Sequence, residues 1–175
     1  MPTTLRLKRI PKLTSNLCFM RFRFIWVGKT RNEHLRALLE DYLKRLSRFA
    51  RWEAVELREC SGGGAGDPRV CLEEEGKRIM GALASDALTV LLDVEGRQWS
   101  SPELASEIEN WQTQGRREVA LILGGHYGVS EEVKRRAEVR WSLSRLTLTH
   151  EMARVVLAEQ LYRAYTIIRG LPYQK

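Results

Sequence analysis

Two short stretches, Leu88–Leu92 (LTVLL) and Val119–Leu123 (VALIL), hold no charged residue and only Thr89 as a polar one. Runs this short do not make a buried helix, and they lack the alternation of a strand with one wet face, so each reads as a strand covered on both sides. Such strands need helices above and below, and the rest of the chain supplies them. Leu35, Leu38, Leu39, Tyr42, Leu43 and Leu46 recur at three- and four-residue steps, which predicts an amphipathic helix after Gly28. A second helix is expected over 69–84. A third opens at Ser101-Pro102, serine as N-cap and proline at the first helical position, and runs toward Gln114. Phe22–Val27 and Ala54–Leu57 read as further strands, and a last helix runs from near Thr149 to about Arg169, closed by Gly170 and Pro172. Strands alternating with helices in this way predict an α/β domain with a mainly parallel sheet and flanking helices, whose ligands bind beyond the carboxyl ends of the strands.

The length, 175 residues, suits one domain, and no apolar run approaches the roughly 20 residues of a membrane span. Cys18, Cys60 and Cys71 are odd in number and form no CxxC, so neither a disulfide framework nor a zinc site is expected, and a reducing cytoplasm fits. His34, His126 and His150 form no metal-ligand motif. The net charge is +7, but Arg6, Lys8, Arg9 and Lys12 sit in the first 19 residues, where there is no acid. Residues 1–19 read as a basic extension without the apolar core of a secretory signal, and residues 20–175 as the domain, beginning at Met20. The glycine-rich segment Gly62–Pro68 lacks the GxxxxGK[ST] spacing and reads as a linker. Arg163, Arg169 and Lys175 follow Glu159 without an intervening acid, which fits either a solvated helix face or an RNA contact.

Three loops at strand ends form the candidate site: the one after Leu92, the one at Gly124, and the one from Leu143 to Leu148. In Leu123-Gly124-Gly125-His126-Tyr127-Gly128, glycines at a strand end either admit a ligand to the bare backbone or make only a tight turn into a helix capped by Ser130. The GxGxxG dinucleotide fingerprint is absent.

Leu91-Leu92-Asp93 with Gly96, Leu123-Gly124-Gly125-x-x-Gly128, Trp141 to His150 and Arg154 to Ala164 occur in the order of the ribosomal large-subunit pseudouridine N3-methyltransferases, the H-type family of the SPOUT superfamily. The chain resembles that family from Met20 to Lys175. The resemblance implies an α/β fold closed by a C-terminal deep trefoil knot, S-adenosylmethionine as the cofactor, 23S ribosomal RNA as the substrate, and a homodimer. It assigns cofactor contacts to Leu92, Gly124, Gly125, Leu143, Ser144, Arg145, Leu146, Thr147 and Leu148, and groups near the target base to His150, Arg154 and Tyr173. Arg163, Arg169 and Lys175 are the candidate RNA contacts. Each leucine has core packing as an alternative, His150 a local hydrogen bond, and Arg154 an ion pair with a carboxylate such as Glu159. Two departures stand out: Gln174 follows Tyr173 where the family commonly has histidine, and Thr149 precedes His150 where it often has proline. A non-catalytic RNA-binding protein with the same knotted fold is the competing expectation, separated from the enzyme by cofactor binding.

Overall fold

The computed structural model describes residues 20–60 and 67–174. The expected extension 1–19, Cys18, most of the glycine linker and Lys175 lie outside the described residues. The elements are β1 (Arg21–Val27), α1 (Glu33–Leu46), β2 (Arg51–Leu57), α2 (Pro68–Ala82), β3 (Leu88–Gln98), α3 (Ser101–Thr113), β4 (Glu118–Leu123), α4 (Glu131–Arg136), β5 (Val139–Ser142), α5 (His150–Ile168) and a short 3-10 turn, Pro172–Gln174.

The five strands form one sheet in the order β2-β1-β4-β3-β5, and every pairing is parallel. Alternate residues of the central strands feed two cores. Phe22, Phe24, Trp26, Val119 and Leu121 face α1, α3 and α5, while Ile25, Val27, Ala120 and Ile122 face α2 and α4. This double coverage explains why β4 is buried along its whole length and why its sequence carries no alternation.

The helices begin where local chemistry starts them. Asn32 accepts amide hydrogen bonds from His34 and Leu35 at the start of α1, and Thr149 accepts one from Met152 at the start of α5. At α3 the cap is Ser100, one residue earlier than the sequence suggested, because Ser100 and Glu103 complete a reciprocal capping box. Asp67 and Pro68, assigned to the linker, are the N-cap and first residue of α2.

The cysteines also depart from expectation. Cys60, just beyond β2, is disulfide-bonded to Cys71 in α2, their Cα atoms 5.3 Å apart. The odd count and wide spacing concealed the pair because α2 returns beside the end of the strand it follows. Among the described residues, no group of three or more His, Cys, Asp or Glu is placed to hold a metal, and no helix is long and apolar enough to cross a membrane.

Candidate active site

β4 stops at Leu123, and the chain turns back on itself through the next five residues. Gly125 and Gly128 form an isolated bridge, Gly128 donates its amide to the Gly125 carbonyl at 3.1 Å, and Gly128 has φ +87°. A Cβ at Gly124 would stand 2.5 Å from the Gly128 carbonyl oxygen, so glycine there is demanded by the turn itself. A Cβ at Gly125 would lie 2.6 Å from Glu75 Oε2 and 3.2 Å from Val27 Cγ1, which fixes how closely the turn rests on α2 and β1.

The second wall comes from an irregularity in β3. Leu92 and Arg97 both pair with Trp141, so the four residues between them loop out of the ladder and carry Asp93, Val94 and Glu95 over the strand ends. The third wall is the segment between β5 and α5, held by bonds of its own. Ser142 Oγ donates to the Ser144 carbonyl at 2.9 Å, and the Leu146 amide donates to Ser144 Oγ at 2.9 Å.

Together the walls enclose a cavity of about 850 Å³, within the size range of small-molecule sites. Leu92, Leu123, Leu143 and Leu148 give it apolar sides, and the glycine turn gives it bare backbone. Val94 and Leu146 also line it with their side chains largely in solvent, Leu146 being 76% exposed. Apolar surface left open at a cavity is surface available to a ligand. Charges of both signs, Asp93, Glu95 and Lys134, stand around it. Arg140 binds Asp93 at 2.6 Å and Glu95 at 3.3 Å. Partial burial pushes the Asp93 carboxyl up, but the Glu95 amide and the Arg140 guanidinium outweigh it and hold the group below the usual range. These features fit a ligand with a flat apolar part and a tail bearing both charges.

Most of the residues singled out in the sequence come together here. Leu92, Gly124, Gly125, Leu143, Ser144, Leu146, Thr147, Leu148 and His150 all line the cavity. Arg145 is exposed and stands outside the lining. His150 is the first residue of α5.

Arg154 is placed elsewhere than beside the cavity. It has no exposed surface; its guanidinium donates to the Val27 carbonyl at 2.7 Å, the Gly28 carbonyl at 3.0 Å and Thr30 Oγ1 at 2.9 Å, and stacks over Trp26. One turn earlier, Glu151 accepts the Asn32 amide at 3.0 Å. The start of α5 therefore clamps the segment leaving β1. Glu159, considered as a partner for Arg154, is bound by Arg163 at 2.6 Å instead. Tyr173 folds back on α5, its hydroxyl 3.3 Å from Glu159 and its ring against Tyr162 and under Arg163. Burial and the neighbouring Tyr42 and Glu159 push its phenol well up. Arg169 lies at the far end of α5. Sequence reasoning missed Val94, Glu95 and Lys134. The strand end at Asp93 hinted at the first two, and nothing pointed to Lys134.

A family model described as "Predicted SPOUT methyltransferase" matches residues 20–174. The chain is 41% identical to the ribosomal RNA large subunit methyltransferase H of Geotalea daltonii, across 88% of this chain and 99% of that one. The protein of that name from Stenotrophomonas maltophilia (strain R551-3) is 42% identical across 89% and 99%. A putative ribosomal RNA large subunit methyltransferase H from Methanoregula boonei is 43% identical across 89% and 100%. Among solved structures, a probable methylase family protein from Haemophilus influenzae Rd KW20 aligns over 89% of this chain and 70% of its own, with a TM-score of 0.49 and 11% identity, a likeness too low to carry an argument. The loop-built cavity thus sits at the strand ends of a chain matched over nearly its whole length, and that chain belongs to the SPOUT methyltransferase family, with the ribosomal RNA large subunit methyltransferase H proteins as its relatives.

Proposed function

We propose that this enzyme methylates N3 of a pseudouridine in 23S ribosomal RNA, with S-adenosylmethionine bound in the cavity and two subunits sharing each site. The observation that carries this reading is the convergence of three separately folded loops on one ligand-sized cavity in a chain of this family.

Leu92, Leu143, Leu146 and Leu148 would hold the adenine, and the glycine turn would present amides and carbonyls to the rest of the cofactor. Bound S-adenosylmethionine supplies an electrophilic methyl group on a sulfonium. The chain's own tasks are to align N3 of the base with that group and to remove the N3 proton. His150 lines the cavity at the start of α5 and is the proton acceptor in this reading. Arg154 acts through position: by gripping the carbonyls at the end of β1 it fixes the helix start on which His150 rides. Tyr173 reaches the reaction only from a partner subunit, since it lies along α5 beside Glu159 and Tyr162, about 14 Å of helix axis from His150.

The test takes ribosomes and free 23S RNA from a strain lacking the gene, adds the protein and S-adenosylmethionine, and maps the products by mass spectrometry. A single methyl on a pseudouridine base is the expected product. A protein that binds the cofactor in calorimetry but leaves every pseudouridine unmodified would overturn the substrate, and one that binds no cofactor would overturn the enzyme.

A further inference from the structure

Glu75 is an acid for which the reaction as described has no use. It sits on α2, only 6% exposed, with its back to the sheet end. Oε1 accepts the Cys60 amide at 2.9 Å, while Oε2 is buried and has no hydrogen-bond partner among the described residues. Burying half a carboxylate without a partner is costly, and such a group calls for an explanation. Its basic neighbour on the same helix, Arg78, is engaged with Glu74 and the Arg58 carbonyl.

Oε2 points at the glycine turn. A Cβ on Gly125 would come within 2.6 Å of it, and Gly125 also lines the cavity. The backbone of Gly125 therefore lies between the carboxylate and the cavity, with the Val27 side chain beside it. In a poorly solvated wall, a charge acts across such a gap with little screening.

We propose that Glu75 makes the cavity discriminate by charge, favouring the cationic methyl donor over its demethylated product. This inference rests on the S-adenosylmethionine reading of the cavity. The donor carries a sulfonium and an ammonium against one carboxylate, so its net charge is positive. Loss of the methyl group leaves a neutral thioether, and the product is a zwitterion with no net charge. A fixed negative charge behind the turn holds the first and is indifferent to the second, which favours release of the spent cofactor after each transfer. Glycine at 125 serves this arrangement, because any side chain there would collide with the carboxylate and displace it from its place behind the turn.

Calorimetry on the full-length protein with three ligands tests the idea: S-adenosylmethionine, S-adenosylhomocysteine, and an analogue bearing an ammonium where the methylsulfonium stands. Glu75→Gln keeps an oxygen for the Cys60 amide and removes the charge. It should weaken both cationic ligands by about five- to tenfold while the affinity for S-adenosylhomocysteine stays within about twofold. Glu75→Asp, with the charge retained, should keep the wild-type preference even if all three bind less well. Equal losses for all three ligands in E75Q would make Glu75 a scaffold only and overturn the proposal, as would a preference that collapses in E75D. If E75Q does not fold, the wild type decides: an ammonium analogue that binds no better than S-adenosylhomocysteine overturns it. A wild-type protein that binds none of the three refutes the cofactor reading itself, which is a different failure from binding all three with a ratio that E75Q leaves unchanged.

Discussion

Arg154 shows how far a single side chain can be read from its neighbours in sequence. An arginine in the second turn of a helix looks the same whether it faces a substrate or a strand end. Only the fold brings the Val27 and Gly28 carbonyls to it. Removing it leaves those buried acceptors bare, so Arg154→Met should lower the unfolding free energy by about 3 kcal/mol in urea titrations. Arg154→Lys should not restore it, because one ammonium cannot reproduce a planar fork holding three acceptors. Gly124 teaches a related point. Its position at the cavity was legible, but its glycine answers to the Gly128 carbonyl, so a bulky residue there disrupts the turn itself. At Asp93 the folded carboxyl lies below its unfolded value. Its contribution is therefore fully present above the unfolded value, near 4, and is lost as pH falls through the folded one. Wild type should exceed Asp93→Asn by about 0.5–1 kcal/mol in denaturant titrations from pH 6 to 8, and the gap should close below pH 4.

Among the elements, the long helices, β4 and the buried first half of β3 declared themselves because their patterns are strong and the helix caps are local. β5 did not. Four residues, VRWS, are too few to show a period, and the strand exists because β3 offers it an edge. The looping out of Asp93 to Gly96 was equally hidden, since a register shift is a property of two strands and not of either alone. Gly96 lies hard against β5: a Cβ there would lie 2.7 Å from the backbone of Arg140 and Trp141. Gly96→Val should therefore pry β5 from β3 at a cost of about 1–3 kcal/mol. Hydrogen exchange should show faster amides at 139–142 with those of β1 and β4 unaffected, and uniform protection would refute the assignment.

For the molecule as a whole, the parallel α/β architecture followed from its pattern, whereas the placing of β4 between β1 and β3 did not, because local sequence carries no record of which strand lies beside which. The geometry of α5 bears on assembly. Its 19 residues run about 28 Å from His150 at the cavity, and Tyr173 packs against its middle, an arrangement that the proposed two-subunit site accounts for by having one tail serve a second cavity. Removing residues 173–175 should abolish methylation and leave cofactor affinity within about twofold, because the cavity is closed by other segments. Mixing that protein with a Leu146→Trp variant, whose cavity is filled from an exposed position, should restore part of the activity, since one site of the mixed dimer joins an intact cavity to an intact tail. Mixed dimers that form and stay inactive refute the shared site. The clamp at the end of β1 sets an order in time as well as in space. Arg154 lies 127 residues after Val27, and Glu151 lies 119 after Asn32, so a chain growing at roughly 5–20 residues per second completes its first strand's exit only when α5 has been made. A nascent copy therefore passes most of its synthesis with the segment that leaves β1 unclamped.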